Sequence, residues 1–118
     1  RLIPDIVKAA LNKEKLTIRY PHSTRPWQHV LEPLNGYLML CERLYKTPRD
    51  YCGAWNFGPG DYDIKPVSWI LDKFSENWGE KIPFDIEKNE KPHEASILKL
   101  DSSKANMLLG YLPKLSIE

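Results

Sequence analysis

The sequence predicts a small mixed α/β fold, a lobe of short helices and short strands that leans on another domain. Three observations predict it. Segments with apolar residues at helical spacing alternate with short runs rich in β-branched and apolar residues. Ten prolines cut the chain into short elements. No candidate strand is long and no tight hairpin turn joins two of them, so a free-standing four-stranded sheet is not expected.

The elements follow in order. Ile3, Ile6, Val7, Ala10 and Leu11 place a first helix over Leu2 to Asn12, with Pro4 tolerated in its first turn. Leu16 to Tyr20 alternates apolar and polar residues and reads as a strand. Pro21 to Pro26 reads as a loop, and Trp27 to Val30 as a short strand or a helix lead-in. Glu32 to Tyr45 is the clearest helix, with Leu34, Tyr37, Leu38, Cys41 and Leu44 as one apolar stripe. Gly36 weakens that helix by about 1 kcal/mol relative to Ala; a packing contact or a ligand would explain it. Lys46 to Asp50 is expected to be loop, and Ala54 to Phe57 a short strand ending at the turn Gly58-Pro59-Gly60. Lys65-Pro66 opens a helix to Trp78 with Val67, Ile70, Leu71, Phe74 and Trp78 on one face, and Gly79 ends it. Ile82 to Ile86 and Ile97 to Leu100 read as strands, and Glu87 to Pro92 as loop. Asp101 is the expected N-cap of a last helix, Ser102 to Leu109, stopped by Gly110.

Composition narrows the function classes. The 118 residues include 17 basic and 16 acidic side chains, a net charge of +1. That balance gives no electrostatic case for nucleic acid or an anionic membrane as partner. No apolar stretch is long enough to span a bilayer, and no signal peptide pattern is visible. Two cysteines, Cys41 and Cys52, are too few for a disulfide scaffold and fit a reducing, cytoplasmic setting. The chain opens at Arg1 and reads at once as helix, so it is expected to belong to a longer protein. Part of its apolar surface would then lack a cover.

Most catalytic constellations are absent from the pattern. Gly58-Pro59-Gly60 resembles a nucleotide loop only in composition, because Pro59 lacks the N–H that phosphate would need. His22, His29, His93, Cys41 and Cys52 show no metal-ligand spacing, and Cys41 on the apolar stripe reads as a small core residue. Cys52 has only Arg49 nearby as an activating cation. Trp27 reads as core rather than as a stacking platform. Arg25 stands out. It follows Ser23-Thr24 and precedes a proline, and its planar fork suits phosphate or carboxylate. The alternative is a solvated surface arginine.

Several motifs carry a resemblance along the whole chain. Arg1 to Val7, the run Arg25-Pro26-Trp27-Gln28-His29-Val30-Leu31-Glu32-Pro33-Leu34, Trp55-Asn56-Phe57-Gly58-Pro59, His93-Glu94-Ala95, Leu98 to Ala105, and Leu109-Gly110-Tyr111 followed by Pro113 occur in this order. Together they resemble the C-terminal part of the bacterial CDP-glucose 4,6-dehydratases. These form one group in the nucleotide-sugar branch of the extended short-chain dehydrogenases. Sister epimerases and dehydratases tend to carry Asp after the arginine, where this chain has Pro26.

The resemblance implies a C-terminal nucleotide-sugar-binding lobe over residues 1–118. It also implies a separate N-terminal Rossmann domain that holds NAD. The implied reaction oxidises C4 of the sugar in CDP-glucose, eliminates water across C5 and C6, and returns the hydride to C6. Its product, CDP-4-keto-6-deoxyglucose, is a precursor of sugars in bacterial surface polysaccharides. The family's catalytic Tyr and Lys lie four residues apart, and none of the six tyrosines here has a lysine at that spacing. The chain alone is therefore expected to be inert, with binding groups only. By resemblance Arg25 contacts the substrate diphosphate, and Thr17, Ile18 and Arg19 form the strand beside the nucleobase. Leu2 and Ile3 open the helix next to the base, and His93 is a pocket residue. Asn56 is expected to hold a turn. The complete enzyme is expected to be a homo-oligomer. Another nucleotide-sugar dehydratase or epimerase, or a non-catalytic binding module, remain the alternatives.

Overall fold

The computed structural model describes residues 1–87 and 95–117. The chain divides into two compact units, one of Arg1–Arg25 and Lys65–Leu98, the other of Pro26–Ile64 and Lys99–Glu118. The chain passes between them within two three-residue strands, β2 (Thr24–Pro26) and β3 (Ile64–Pro66), and again after Leu98.

The first unit is built on α1 (Leu2–Asn12), β1 (Leu16–Ile18), α4 (Val67–Trp78) and β4 (Phe84–Ile86). α1 buries Ile6 and Ala9, while Ile3 and Leu11 of the predicted stripe face outward. Lys13 takes a left-handed conformation after the helix, and the Glu14 N–H reaches back to Ala9 O at 2.9 Å. β1 pairs in parallel with β4, Leu16 opposite Phe84 and Ile18 opposite Ile86. The strand stops at Ile18 rather than Tyr20 because its partner ends there; the Glu87 N–H closes the ladder on Ile18 O at 2.8 Å. Leu16 and Ile18 point inward and Thr17 outward, as a two-residue period requires. α4 starts at Val67, two residues later than expected, because Lys65 and Pro66 belong to β3. Its leading N–H groups are satisfied by backbone, Val67 to Ser23 O at 3.1 Å and Ser68 to Pro21 O at 2.9 Å. Ile70 and Leu71 are buried from this helix, and Gly79 ends it at φ 81°.

The second unit contains α2 (Leu31–Lys46), α3 (Pro48–Tyr51), a 3-10 turn (Asp61–Asp63) and α5 (Ser103–Leu109). α3 replaces part of the loop expected at Lys46 to Asp50, with Pro48 at its first position. The predicted strand Ala54 to Phe57 is not a strand. Side chains pin this segment instead: Trp55 Nε1 donates to Tyr51 O at 2.9 Å and Asn56 Nδ2 to Asp101 O at 3.2 Å. Lys104 sits 4.1 Å from the Trp55 ring centroid and donates to Ala54 O. Ile97 to Leu100 is likewise no strand, only one parallel bridge between Ile97 and Thr24. The N-cap of α5 is Ser102; Asp101 assists by accepting the Ser103 N–H at 2.9 Å.

Burial corrects the reading of α2. The buried positions are Glu32 and Gly36, with Met39 and Leu40 packed against the core of Phe57, Ala105, Leu109 and Tyr111. The apolar stripe faces outward: Leu34, Tyr37 and Leu38 are exposed, and so is Cys41, which is not a core residue. Gly36 is explained by packing. A Cβ there would lie 2.8 Å from two ring carbons of Phe57 and closer to a third. Phe57 meets Tyr37 edge-on at 5.4 Å and Tyr111 edge-on at 5.1 Å. Glu32 is buried because its Oε1 accepts the N–H groups of Lys114 and Leu115, at 3.0 and 2.8 Å. Buried Asp63 accepts from Ile117 N at 3.2 Å.

Two outcomes follow. Gly36→Ala should cost about 1–3 kcal/mol through overpacking, read as a lower urea midpoint at unchanged slope. Burial raises the pKa of the Tyr111 phenol, and Glu32 and Tyr37 add to the rise. The fold thus holds the neutral phenol. Its contribution is whole below the unfolded value of about 10 and is lost as pH rises through the raised folded value. Tyr111→Phe should therefore move alkaline unfolding, followed by near-UV circular dichroism, to higher pH. Near pH 7 it should cost at most about 1 kcal/mol, because the hydroxyl's bonds to Gly58 O and Gln28 Oε1 are long, 3.4 and 3.5 Å.

Candidate functional site

Arg25 is fixed by backbone chemistry before its side chain is considered. Pro26 keeps it extended. On its other side Thr24 donates from N to Ser96 O at 2.9 Å, and Leu98 N donates to Thr24 O at 3.2 Å. This zipper lays Ala95 alongside Arg25. The Nη1 group donates to Thr24 O at 2.8 Å and to Ala95 O at 3.0 Å. The arginine is half-buried and anchored on two carbonyls, not a loose surface side chain.

The other residues singled out in the sequence are spread along the first unit. Thr17 is exposed in the middle of β1, while Ile18 is buried, so only the Ile18 main chain is left for any contact. Leu16 N donates to Pro83 O at 2.9 Å and Ile18 O accepts from Glu87, which turns these residues toward β4. In a parallel ladder the residue between them then presents its N–H and C=O to the opposite edge. Thr17 thus supplies one donor and one acceptor on the outer edge of β1. Arg19 lies 3.4 Å from Glu87 Oε2, a solvated pair of small energetic weight. α1 packs against β1; at its start Leu2 is half-buried and Ile3 exposed. His93 lies outside the described residues.

A cleft in the second unit was not anticipated. It has a volume of about 760 Å³ and is lined by the turn Gly58–Pro59–Gly60, Asp61, Lys99 and the start of α5. Its chemistry does not suit a dinucleotide. The Gly58 N–H is taken by Ser102 Oγ at 2.7 Å, and Pro59 has no N–H. Asp61 and Asp101 bring negative charge, and Lys99 is already paired with Asp61 at 2.6 Å. Hydrogen bonds from the Ser103 hydroxyl and backbone hold the Asp101 carboxyl below its usual range. Asn56 ties the turn to Asp101, the structural role its position suggested. These residues do not fit NAD. Among the described residues no group of three or more His, Cys, Asp or Glu is placed to hold a metal ion, and no helix is long and apolar enough to cross a membrane.

Sequence reasoning missed three groups. The Ala95 carbonyl is main chain and leaves no residue-type signal. Glu32 looks like an ordinary first-turn acid, and only its position shows that it holds the 114–115 backbone. His29, two residues before α2 begins, accepts the Leu31 N–H at its Nδ1 at 3.2 Å.

No family model matches the chain. It is 49% identical over 114 residues, 97% of its length, to the C-terminal part of the CDP-glucose 4,6-dehydratase of Salmonella typhimurium (strain LT2), and spans 32% of that protein. It is 30% identical over 94 residues to UDP-glucose 4-epimerase 3 of Oryza sativa subsp. japonica, covering 80% of this chain and 24% of that one. With UDP-glucuronic acid decarboxylase 4 of Arabidopsis thaliana it shares 29% over 119 residues, 99% of this chain and 25% of the other. A crystal structure of UDP-glucose 4-epimerase superposes with a TM-score of 0.80 at 22% identity, over 97% of this chain and 36% of that one. The fold is therefore the small mixed α/β fold of the C-terminal part of that epimerase.

Anchoring at Arg25 has a direct consequence. Arg25→Ala should loosen the Thr24–Leu98 zipper and speed hydrogen exchange of the Leu98 amide, with exchange at Ile70 and Leu71 in the core unchanged.

Proposed function

We propose that this chain is the nucleotide-sugar-binding part of a CDP-glucose 4,6-dehydratase, which converts CDP-glucose to CDP-4-keto-6-deoxyglucose and water. The observation that carries this reading is the 49% identity over 97% of the chain, against 29–30% for the epimerase and the decarboxylase. The anchored Arg25 supports it. Nη1 holds the guanidinium against Thr24 O and Ala95 O. The guanidinium would then be held in a fixed orientation toward the diphosphate, as charge-assisted recognition needs.

The remaining roles belong to the same proposal. The outer-edge N–H and C=O of Thr17 would read the nucleobase, with Ile18 contributing only main chain. Arg19 adds positive charge beside it, and Leu2 and Ile3 offer apolar contact at the start of α1. His93 is proposed as a further pocket residue. NAD would be bound by the N-terminal part of such an enzyme; in the turn here the Gly58 N–H is already taken by Ser102 and Pro59 has none. The chain alone would bind substrate without turning it over. We place the complete enzyme in the cytoplasm, as a homo-oligomer.

The complete enzyme carrying this chain, given NAD and CDP-glucose, should release a product lighter by one water on mass spectrometry. UDP-, dTDP- and GDP-glucose run in parallel should remain intact. Water loss from another donor would reassign the nucleotide, and no loss from any would overturn the reading. Arg25→Ala should weaken CDP-glucose binding by about 10- to 100-fold, the loss of one or two charged hydrogen bonds; Arg25→Lys should recover only part of it.

A further inference from the structure

We propose that the cleft at the turn Gly58–Pro59–Gly60 binds an uncharged saccharide that carries no nucleotide. The cleft lies wholly within the second unit. None of its lining residues is among those proposed to contact CDP-glucose. Its volume of about 760 Å³ falls in the range of roughly 300–1,000 Å³ that small-molecule sites occupy.

Charge selects the ligand class. Asp61 and Asp101 supply two carboxylates against the ammonium of Lys99, which is paired with Asp61 at 2.6 Å. Bonds from the Ser103 hydroxyl and backbone favour the charged form of Asp101. A phosphate or carboxylate ligand would meet net negative charge, and the Gly58 N–H is already taken by Ser102 Oγ. A cationic ligand would have to displace Lys99 from Asp61. A neutral ligand with closely spaced hydroxyls avoids both conflicts. Each hydroxyl donates and accepts, and the cleft lining offers both kinds of partner. Asn106 uses Nδ2 on Tyr111 O at 2.8 Å, which leaves Oδ1 as an acceptor. Asp61 meets Lys99 through Oδ1 and keeps Oδ2. Ser102 accepts the Gly58 N–H and keeps its own O–H to donate.

Shape supports the same class. A pyranose ring has hydroxyls at its rim and an apolar C–H face, so its site needs an apolar wall beside the polar groups. Tyr62 supplies that wall. A Cβ at position 60 would lie 2.5 Å from Tyr62 Cε1, so Gly60 lets the ring rest against the turn. The ring is braced there and still 61% exposed. Leu112, 65% exposed, and Pro113 extend the apolar lining. A rigid aromatic with a wet surface offers a large contact area to such a face.

The test uses the complete enzyme carrying this chain, with excess CDP present to fill the sugar-nucleotide site. Maltotriose is titrated in and followed by saturation-transfer NMR. Saturable binding in the millimolar range is expected, strongest at the sugar C–H protons. Tyr62→Ala should weaken it about 10-fold, the loss of one aromatic contact. Tyr62→Phe, which keeps the ring, should bind as the parent does. Asp61→Ala should weaken it about 2- to 10-fold, the loss of one hydrogen bond. Circular dichroism checks that each variant folds. Glucose should compete with maltotriose, and glucose 6-phosphate should compete less. Absence of saturable binding would overturn the proposal, as would binding unchanged by Tyr62→Ala or stronger competition from the phosphate. Binding abolished by CDP would assign the saccharide to the sugar-nucleotide site and overturn it too. Saccharide binding that depends on Tyr62, with no water lost from any sugar nucleotide, would leave this site standing and overturn the function proposed above. Dehydration of CDP-glucose without saccharide binding would do the reverse.

Discussion

The second unit depends on one close approach: the Phe57 ring occupies the space a side chain at position 36 would fill. That contact draws α2 onto a segment with no strand partner among the described residues. Phe57 in turn meets Tyr37 on one side and Tyr111 on another, both edge-on. Its carbonyl accepts from Gln28 Nε2 at 2.9 Å, so ring and backbone are both held. Tyr111, fully buried, completes the cluster with Ala105 and Leu109 of α5. Helix propensity alone argues against a glycine inside α2; the ring it admits offsets that cost by burying apolar area.

With strands only three residues long, ladders satisfy little of the backbone. Side chains take over the task. Glu32 accepts two N–H groups and Asp63 one; Asn56, Ser102 and Arg25 each bind main chain far away in sequence. Buried backbone polar groups must be paired, and hydrogen bonds to charged groups are among the stronger ones. This explains why charged residues such as Glu32 and Asp63 are buried in a chain with modest core volume. It also explains how a single guanidinium becomes part of the fold and still belongs to the proposed ligand site: its bonds to Thr24 O and Ala95 O fix where the charge sits.

The two units divide the work. The residues proposed to contact the sugar nucleotide that the structure describes, from Leu2 to Arg25, belong to the first. The outward apolar face belongs to the second.

Periodicity in the sequence determined α1, most of α2, α4 and α5, because 3.6-residue spacing and glycine stops at Gly79 and Gly110 are local properties. The local motif around Arg25 and Pro26 singled out the arginine, since residue type and the following proline are written in the chain. Tertiary structure alone decided which side of α2 is core, because a stripe of Leu and Tyr reads the same whether a partner covers it or not. It also decided that Ala54 to Phe57 and most of Ile97 to Leu100 are not strands, because strands require partners that the local pattern does not specify. The anchoring of Arg25 on Ala95, 70 positions away, came from the same source: a main-chain carbonyl carries no residue-type signal, and only the folded backbone brings it within reach.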